Sequence, residues 1–275
     1  MKVTLWGTRG SIPQAGPTTV RYGGDTASVE VRNSDGHLII LDAGSGIRAI
    51  EVDRVGTTRI DILLTHLHMD HVQGLPFFAP LLSPDYEVHV WGPRSTRSSL
   101  KLRLARYLSP PLFPVSVRDL PNVVFHDVMP GDFKLGSINV QAELISHPGT
   151  TLGFRLEEKN STVAYLPDHE PALGMSDFPG DPDWTSGFDL VHGVDVLIHD
   201  SQYTDDEYNE RIGWGHTSFS QLMAFAEFTD VAKLVTFHHD PTHGDAMLDS
   251  IHDELDAGAR GYEVVAGKTG LVIDC

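Results

Sequence analysis

The chain has 275 residues, enough for one large α/β domain, and 40% hydrophobic against 21% charged residues with no repeat or polar tract excludes a disordered or collagen-like polymer. A lone cysteine, Cys275, excludes an intramolecular disulfide framework and any cysteine-rich metal centre. With 38 acidic and 20 basic residues the net charge is −18, which opposes binding to DNA, RNA or an anionic membrane unless positive charge is concentrated locally.

The opening segment MKVTLWGTRGSIPQ meets a Gly and an Arg before it builds an apolar core of signal-peptide length, and no run of 18 apolar residues follows. A soluble, cytoplasmic protein is expected. In chain order, strand-like apolar or alternating runs fall at 2–6, 27–32, 37–42, 59–65, 86–91, 122–128, 137–145, 151–156, 162–166, 194–199, 233–237 and 262–265. Helical stripes are fewer: Leu100, Leu104, Tyr107 and Leu108 within 95–108, Leu222, Phe225 and Ala226 within 218–229, and Leu248, Ile251 and Leu255 within 245–257. Strands with interspersed helices point to two mixed sheets covered by helices. Pro- and Gly-rich stretches at 11–24, 109–121 and 167–187 read as loops of one domain spanning 1–275. Residues 93–118 hold Arg94, Arg97, Lys101, Arg103, Arg106 and Arg118 with no acid, either a solvated face or a positive rim that steers a phosphorylated substrate.

Fifteen histidines, several beside aspartate, direct attention to metal chemistry, because imidazole and carboxylate are the ligands of zinc and manganese sites. The run Thr65-His66-Leu67-His68-Met69-Asp70-His71 follows an apolar strand, so that His66 and His68, two apart at an extended strand end, project to one side while Asp70 and His71 lie where the chain turns. Four donors in six residues can surround two adjacent cations. Further donors are expected at other strand ends, where loop-built sites recruit their groups: His147 after Leu144-Ile145-Ser146, Asp168 after Tyr165-Leu166-Pro167, and His238 after Val235-Thr236-Phe237. His239 is a rival to His238, Asp200 a weaker rival to Asp168, and His169 a neighbour that either supports the site or lies at the surface.

This order of an HxHxDH element, a strand-end His, a strand-end Asp and a strand-end His resembles the metallo-β-lactamase superfamily, and Leu41-Asp42-Ala43-Gly44 resembles its Asp-x-Gly turn. The resemblance covers essentially the whole chain. It implies a four-layer αββα sandwich of two mixed β-sheets with two divalent metal ions, zinc favoured over manganese. It further implies that His66, His68 and His147 hold one metal, Asp70, His71 and His238 the other, and that Asp168 bridges them. Gly213-Trp214-Gly215-His216-Thr217-Ser218 resembles a His-Ser-Thr-like segment of the tRNA 3′-processing endonucleases and cyclic-phosphate phosphodiesterases, which implies His216 as general acid; the plainer reading is that Thr217 or Ser218 starts a helix there.

The expected chemistry is hydrolysis of a small cyclic phosphodiester, a cyclic nucleotide or a ribose cyclic phosphate, by a metal-activated hydroxide oriented by Asp70 and Asp168, with His216 protonating the departing oxygen. The expected partner is that small diester, with no DNA and no membrane, and the chain is free to form a homodimer. A lactonase or other acyl hydrolase and a tRNA 3′-processing endonuclease are the alternatives. The endonucleases of this superfamily normally carry a protruding tRNA-gripping arm, and no long insertion that would form one is visible here.

Overall fold

A computed structural model describes residues 1–52, 58–172, 175–256, 258 and 260–275. Strands β1 (Lys2–Gly7), β2 (Ser28–Arg32), β3 (Leu38–Leu41), β4 (Arg59–Leu63), β5 (Glu87–Pro93) and β6 (Val123–Val128) come first in the chain. They are followed by β7 (Gly131–Leu135), β8 (Ile138–Leu144), β9 (Leu152–Glu158), β10 (Ser161–Leu166), β11 (Val196–Asp200), β12 (Lys233–Phe237), β13 (Glu263–Ala266) and β14 (Val272–Asp274). Among the described residues they form two seven-stranded sheets, ordered β14-β1-β2-β3-β4-β5-β6 and β13-β12-β11-β10-β9-β8-β7. Each sheet mixes antiparallel pairs with a parallel run, β3 to β6 in the first and β10 to β13 in the second. Helices α1 (Met69–Val72), α2 (Leu100–Leu104), α3 (Phe188–Val191), α4 (Asp205–Asn209), α5 (Phe219–Phe228) and α6 (Asp245–Asp256) complete the regular structure.

Alternation along the strands builds the layers. On β3, Ile39 and Leu41 turn toward the other sheet, where they join Val29, Leu63, Val140, Phe154, Tyr165, Ile198 and Phe237 in a buried core. Leu38 and Ile40 turn the opposite way and pack with Ile62, Val90, Ile47, Leu75, Leu100 and Leu104. On the far side of the second sheet Ala164, Leu166, Leu197 and Leu234 meet Leu190, Leu222 and Phe225. Two sheets with apolar groups on both faces require helical cover outside each, the four-layer αββα sandwich expected from the sequence. No helix is long and apolar enough to cross a membrane among the described residues.

The helix over 95–108, strands β7 and β14, and the short helices α1, α3 and α4 differ from expectation. The helix expected over 95–108 is α-helical only from Leu100 to Leu104, because Asp127 Oδ1 takes the Leu100 N–H at 3.0 Å and the Ser99 hydroxyl caps Leu102 N, fixing the start five residues late. Its apolar stripe survives in turns, with Leu100, Leu104 and Leu108 all buried. Strands β7 and β14 were not expected; the first carries only Phe133 and Leu135 as apolar residues, and the second is three residues long and gains its place by pairing with β1. Ala257, the expected last residue of the final helix, lies outside the described residues.

One buried charge cluster ties β4 to its neighbours. The Asp61 carboxylate accepts hydrogen bonds from His37 Nε2 (2.7 Å), from Arg59 Nε (3.0 Å) and Nη2 (2.9 Å), and from Trp91 Nε1 (2.8 Å). Burial pushes its pKa up, but these donors outweigh that and draw it down to about 2. A depressed carboxylate pKa contributes stability that is complete above the ordinary value of 3.8 and is lost as the pH falls through about 2. Asp61→Asn is therefore expected to cost roughly 2 kcal/mol at neutral pH, discounted from a fully buried pair because Arg59 is half exposed. Denaturant melts should show the gap between variant and wild type narrowing between pH 4 and 2; a gap independent of pH there would assign the loss to packing.

Candidate metal centre

The C-terminal ends of the parallel strands gather the polar residues, the edge at which α/β sheets bind ligands. Asp42 follows β3, the run from Thr65 to His71 follows β4 and enters α1, Asp168 follows β10, Asp200 closes β11 and His238 follows β12. His147 follows the antiparallel β8, whose C-terminal end lies at the same edge. The register sets Leu166 beside His199 and Asp200 beside Phe237, so the donors arrive side by side.

Among the described residues two ligand nests share one carboxylate, and a third group, Asp200, His216 and His238, overlaps the second nest at His238. One donor atom each from His66, His68, His147 and Asp168 lies within 4.8 Å of the others, and the same holds for Asp70, His71, Asp168 and His238. Asp168 belongs to both. Its Oδ2 faces His66 Nε2 and His147 Nε2, each at 3.7 Å, while its Oδ1 faces His71 Nε2 at 2.9 Å and His238 Nε2 at 3.4 Å. Asp70 Oδ2 closes the second nest, 3.3 Å from His71 Nε2 and 3.2 Å from His238 Nε2. All these residues are buried except His68, which stands at the mouth.

Whether the nests fit cations is answered by their unpaired atoms and by what holds the rings. His66 Nε2 is buried without a hydrogen-bond partner, and His71 Nε2 and Asp168 Oδ1 meet at 2.9 Å as an ion pair without hydrogen-bond geometry, a costly condition for buried polar atoms unless something else occupies the space between them. The opposite ring nitrogens are engaged: His71 Nδ1 donates to Asp42 Oδ2 (2.8 Å), His147 Nδ1 to the Gly215 carbonyl (2.8 Å), and His238 Nδ1 to Gln202 Oε1 (3.0 Å). Each bond turns an Nε2 atom into the nest, the arrangement that metal-ligating histidines adopt once a cation takes the place of any proton there. Ser11 N donates to Asp70 Oδ2 at 2.8 Å, and a Cβ on Gly10 would stand 2.5 Å from His238 Nδ1, so the loop from Thr8 to Ser11 lies flat against the second nest. Arg9 anchors that loop through a buried guanidinium that donates to the carbonyls of Gly23, Asp240 and His243.

The electrostatics divide the nests. Burial holds His66 well below its ordinary pKa and lowers His147 to about 4, leaving both imidazoles neutral. Burial also opposes charge on His238 and His71. There the carboxylates win: Asp168, Asp70 and Asp200 raise His238 to about 9, and Asp168, Asp70 and Asp42 raise His71 well above its ordinary value. Burial pushes the Asp168 carboxyl up, but His238, His71 and His66 more than reverse it and keep it ionised.

The remaining expectations resolve as follows. His239 turns away from the nests, donating Nε2 to the Gly267 carbonyl at 2.9 Å, with its pKa lowered by burial to about 3. Asp200 does not stand between the nests, a correction to its role as rival bridge. Its Oδ2 instead accepts from His216 Nδ1 at 2.6 Å, and its Oδ1 accepts from Gln202 N and Thr217 N. His216 is nearly buried, its ring 5.1 Å from His238 and 5.0 Å from His147, and Ser218 caps α5, as the plainer reading of this segment expects. His169 is buried behind Asp168, its Nδ1 2.8 Å from His199 Nε2, and is not a surface residue. In the basic segment Arg103 reaches Asp127 and Arg118 approaches Asp119, whereas Arg94, Arg97, Lys101 and Arg106 are exposed. Asp42, Gln202 and Asp200 as orienting groups escaped the sequence reading. The signals available were the Asp-x-Gly turn that contains Asp42 and the position of Asp42 and Asp200, like the expected donors, as acids leaving buried strands.

A profile of the β-lactamase superfamily domain matches residues 37–239. Ribonuclease Z from Haloarcula marismortui is 23% identical, the match covering 98% of this chain and 96% of the relative. Among solved structures, the metallo-β-lactamase fold protein YhfI from Bacillus subtilis superposes with a TM-score of 0.72 at 17% identity, covering 99% of this chain and 98% of its own. The short form of human tRNase Z gives 0.70 at 20% identity, covering 100% and 99%.

Because Asp42 fixes His71, Asp42→Asn is expected to weaken divalent-metal affinity about 10–100-fold. Competition with a chromophoric chelator measures this, and an affinity equal to wild type would show that His71 needs no such partner.

Proposed function

The chain belongs to the β-lactamase superfamily, and from that premise we propose that it is a metal-dependent phosphodiester hydrolase with His66, His68 and His147 holding one divalent ion, Asp70, His71 and His238 the other, and Asp168 shared. The observation that carries this reading is the Asp168 carboxylate, one oxygen toward each nest. Five imidazoles and two carboxylates favour zinc, with manganese second. When bound, the ions supply Lewis acidity that acidifies water and draws charge from the phosphate oxygens.

The protein's own groups do the rest. Asp200 fixes the tautomer of His216 by accepting from Nδ1, which leaves Nε2 as the atom that carries the exchangeable proton. As the phosphorus–oxygen bond to the leaving group breaks, Nε2–H of the imidazolium donates to the departing alkoxide, and the Asp200 carboxylate stabilises the charged ring until that moment. Gly215 connects the two halves of the site: its carbonyl orients His147 and the next residue is His216.

A small phosphodiester suits this site. The net charge of −18 opposes a long polyanion. His147 and Asp168 are joined only by the β9–β10 hairpin, turned at Lys159 and Asn160, and the match to the Haloarcula marismortui relative spans 323 aligned positions against 275 residues here, so that relative carries segments this chain lacks. A second reading, RNA 3′-end cleavage, is favoured by the ribonuclease names of relatives that match along most of the chain.

Turnover of bis(p-nitrophenyl) phosphate should vanish on chelation and return with zinc or manganese; no metal-restored turnover would overturn the proposal. A panel of cyclic nucleotides, a ribose cyclic phosphate, a 3′-extended tRNA, a lactone and a β-lactam should single out the small cyclic diesters, and preferential cleavage of the tRNA would select the second reading. His216→Ala should lower kcat about 10²–10⁴-fold on diesters with alkoxide leaving groups. The effect should be far smaller with p-nitrophenolate, which departs without a proton. Equal losses on both would remove His216 as the acid.

A further inference from the structure

The loop that carries His216 also presents a residue the proposed reaction does not use. Trp214 is 59% exposed, although the loop around it is held firmly. Gly213 and Gly215 have φ of 85° and 86°, and their N–H groups donate at 2.8 Å to Glu170 Oε1 and Oε2. Glu170 is fully buried and also accepts from the Tyr208 hydroxyl at 2.8 Å, so both carboxylate oxygens are committed to this loop and its support. Trp214 N donates to the Arg211 carbonyl at 3.0 Å. On the inner side a Cβ at Gly215 would stand 2.3 Å from Pro148 Cδ and 2.6 Å from His147 Nδ1, so the backbone is pressed against the site. The chain is pinned on either side of Trp214 and the indole is what remains in water.

Two residues of chain reach at most about 7 Å, so Trp214 is rooted at the rim of the cluster that His216 enters. Two other large apolar side chains are rooted there. Ile12, 56% exposed, follows the Ser11 amide that binds Asp70, and Met69, 53% exposed, lies between His68 and Asp70. Apolar side chains grouped around a polar centre do not arise from core packing and mark a binding rim. A flat indole on a rigid loop loses little freedom when another ring covers it, which suits stacking on a planar aromatic group.

We infer that Trp214, presented by the Glu170 clamp at the rim where Ile12 and Met69 are also rooted, stacks on a nucleobase, so that the diester is a nucleotide and not a base-free sugar phosphate. The inference rests on the phosphodiesterase reading and chooses between the two small substrates that reading leaves open. Glu170 is a positioning residue here, since it acts only through the loop.

The test compares kcat/KM for adenosine 2′,3′-cyclic phosphate with that for ribose 2,3-cyclic phosphate, which lacks only the base. Wild type should prefer the nucleotide; Trp214→Ala should lower that preference about tenfold, through KM, and Trp214→Phe should restore most of it. A preference unchanged by Trp214→Ala overturns the inference while leaving the phosphodiesterase reading intact. If wild type hydrolyses neither compound, turnover of bis(p-nitrophenyl) phosphate decides that reading, and adenosine monophosphate titrations still decide the point: indole fluorescence quenched in wild type and not in Trp214→Phe supports stacking, and absence of quenching overturns it.

Discussion

Asp168 presents two buried carboxylate oxygens to four imidazoles, His66 and His147 on one side and His71 and His238 on the other, and the organisation of the site follows from that sharing. Removing this many ionisable groups from water costs several kcal/mol per ion unless each is compensated. Part of the compensation is internal, between the carboxylates and His71 and His238. His66 Nε2, which has no hydrogen-bond partner, and His71 Nε2 and Asp168 Oδ1, which meet only as an ion pair, are the atoms that cations would satisfy.

Holding the rings in place requires a second set of contacts, and it explains features that fold stability alone does not. Asp42 and His238 both take φ of 59°, a left-handed conformation unfavourable for residues other than glycine, and each does so where a strand ends at the site. Strain of this kind persists when surrounding bonds over-determine it. Asp42 is held by Thr65, His71 and Tyr165, and His238 by Gln202 on one side and Gly10 on the other. Arg9 and Glu170 act further out, each a buried charge spent on backbone groups of a loop that touches the ligands.

The residues that gather in the cluster were legible in the sequence because their signal is local: a dense HxHxDH run, and single polar residues ending buried strands. The two-sheet sandwich was legible for the same reason, since alternating and fully apolar runs of strand length are short-range patterns. The orienting roles were not, although the Asp-x-Gly turn marked Asp42 itself. Asp200 and His216 are 16 residues apart and meet only because β11 ends beside the loop before α5, and Glu170 reaches Gly213 and Gly215 across 43 and 45 residues. Nothing in composition marks an acid whose partners are backbone amides. Likewise the helix over 95–108 has the right apolar stripe, but its start is decided by Asp127, an acid on another element.

The central claim is that a pair of ions lies on the two sides of one carboxylate, and anomalous diffraction from zinc-loaded crystals measures it directly. Two peaks at full occupancy are expected to flank Asp168, one among His66, His68 and His147 and the other among Asp70, His71 and His238. A single peak, or peaks remote from Asp168, would contradict it.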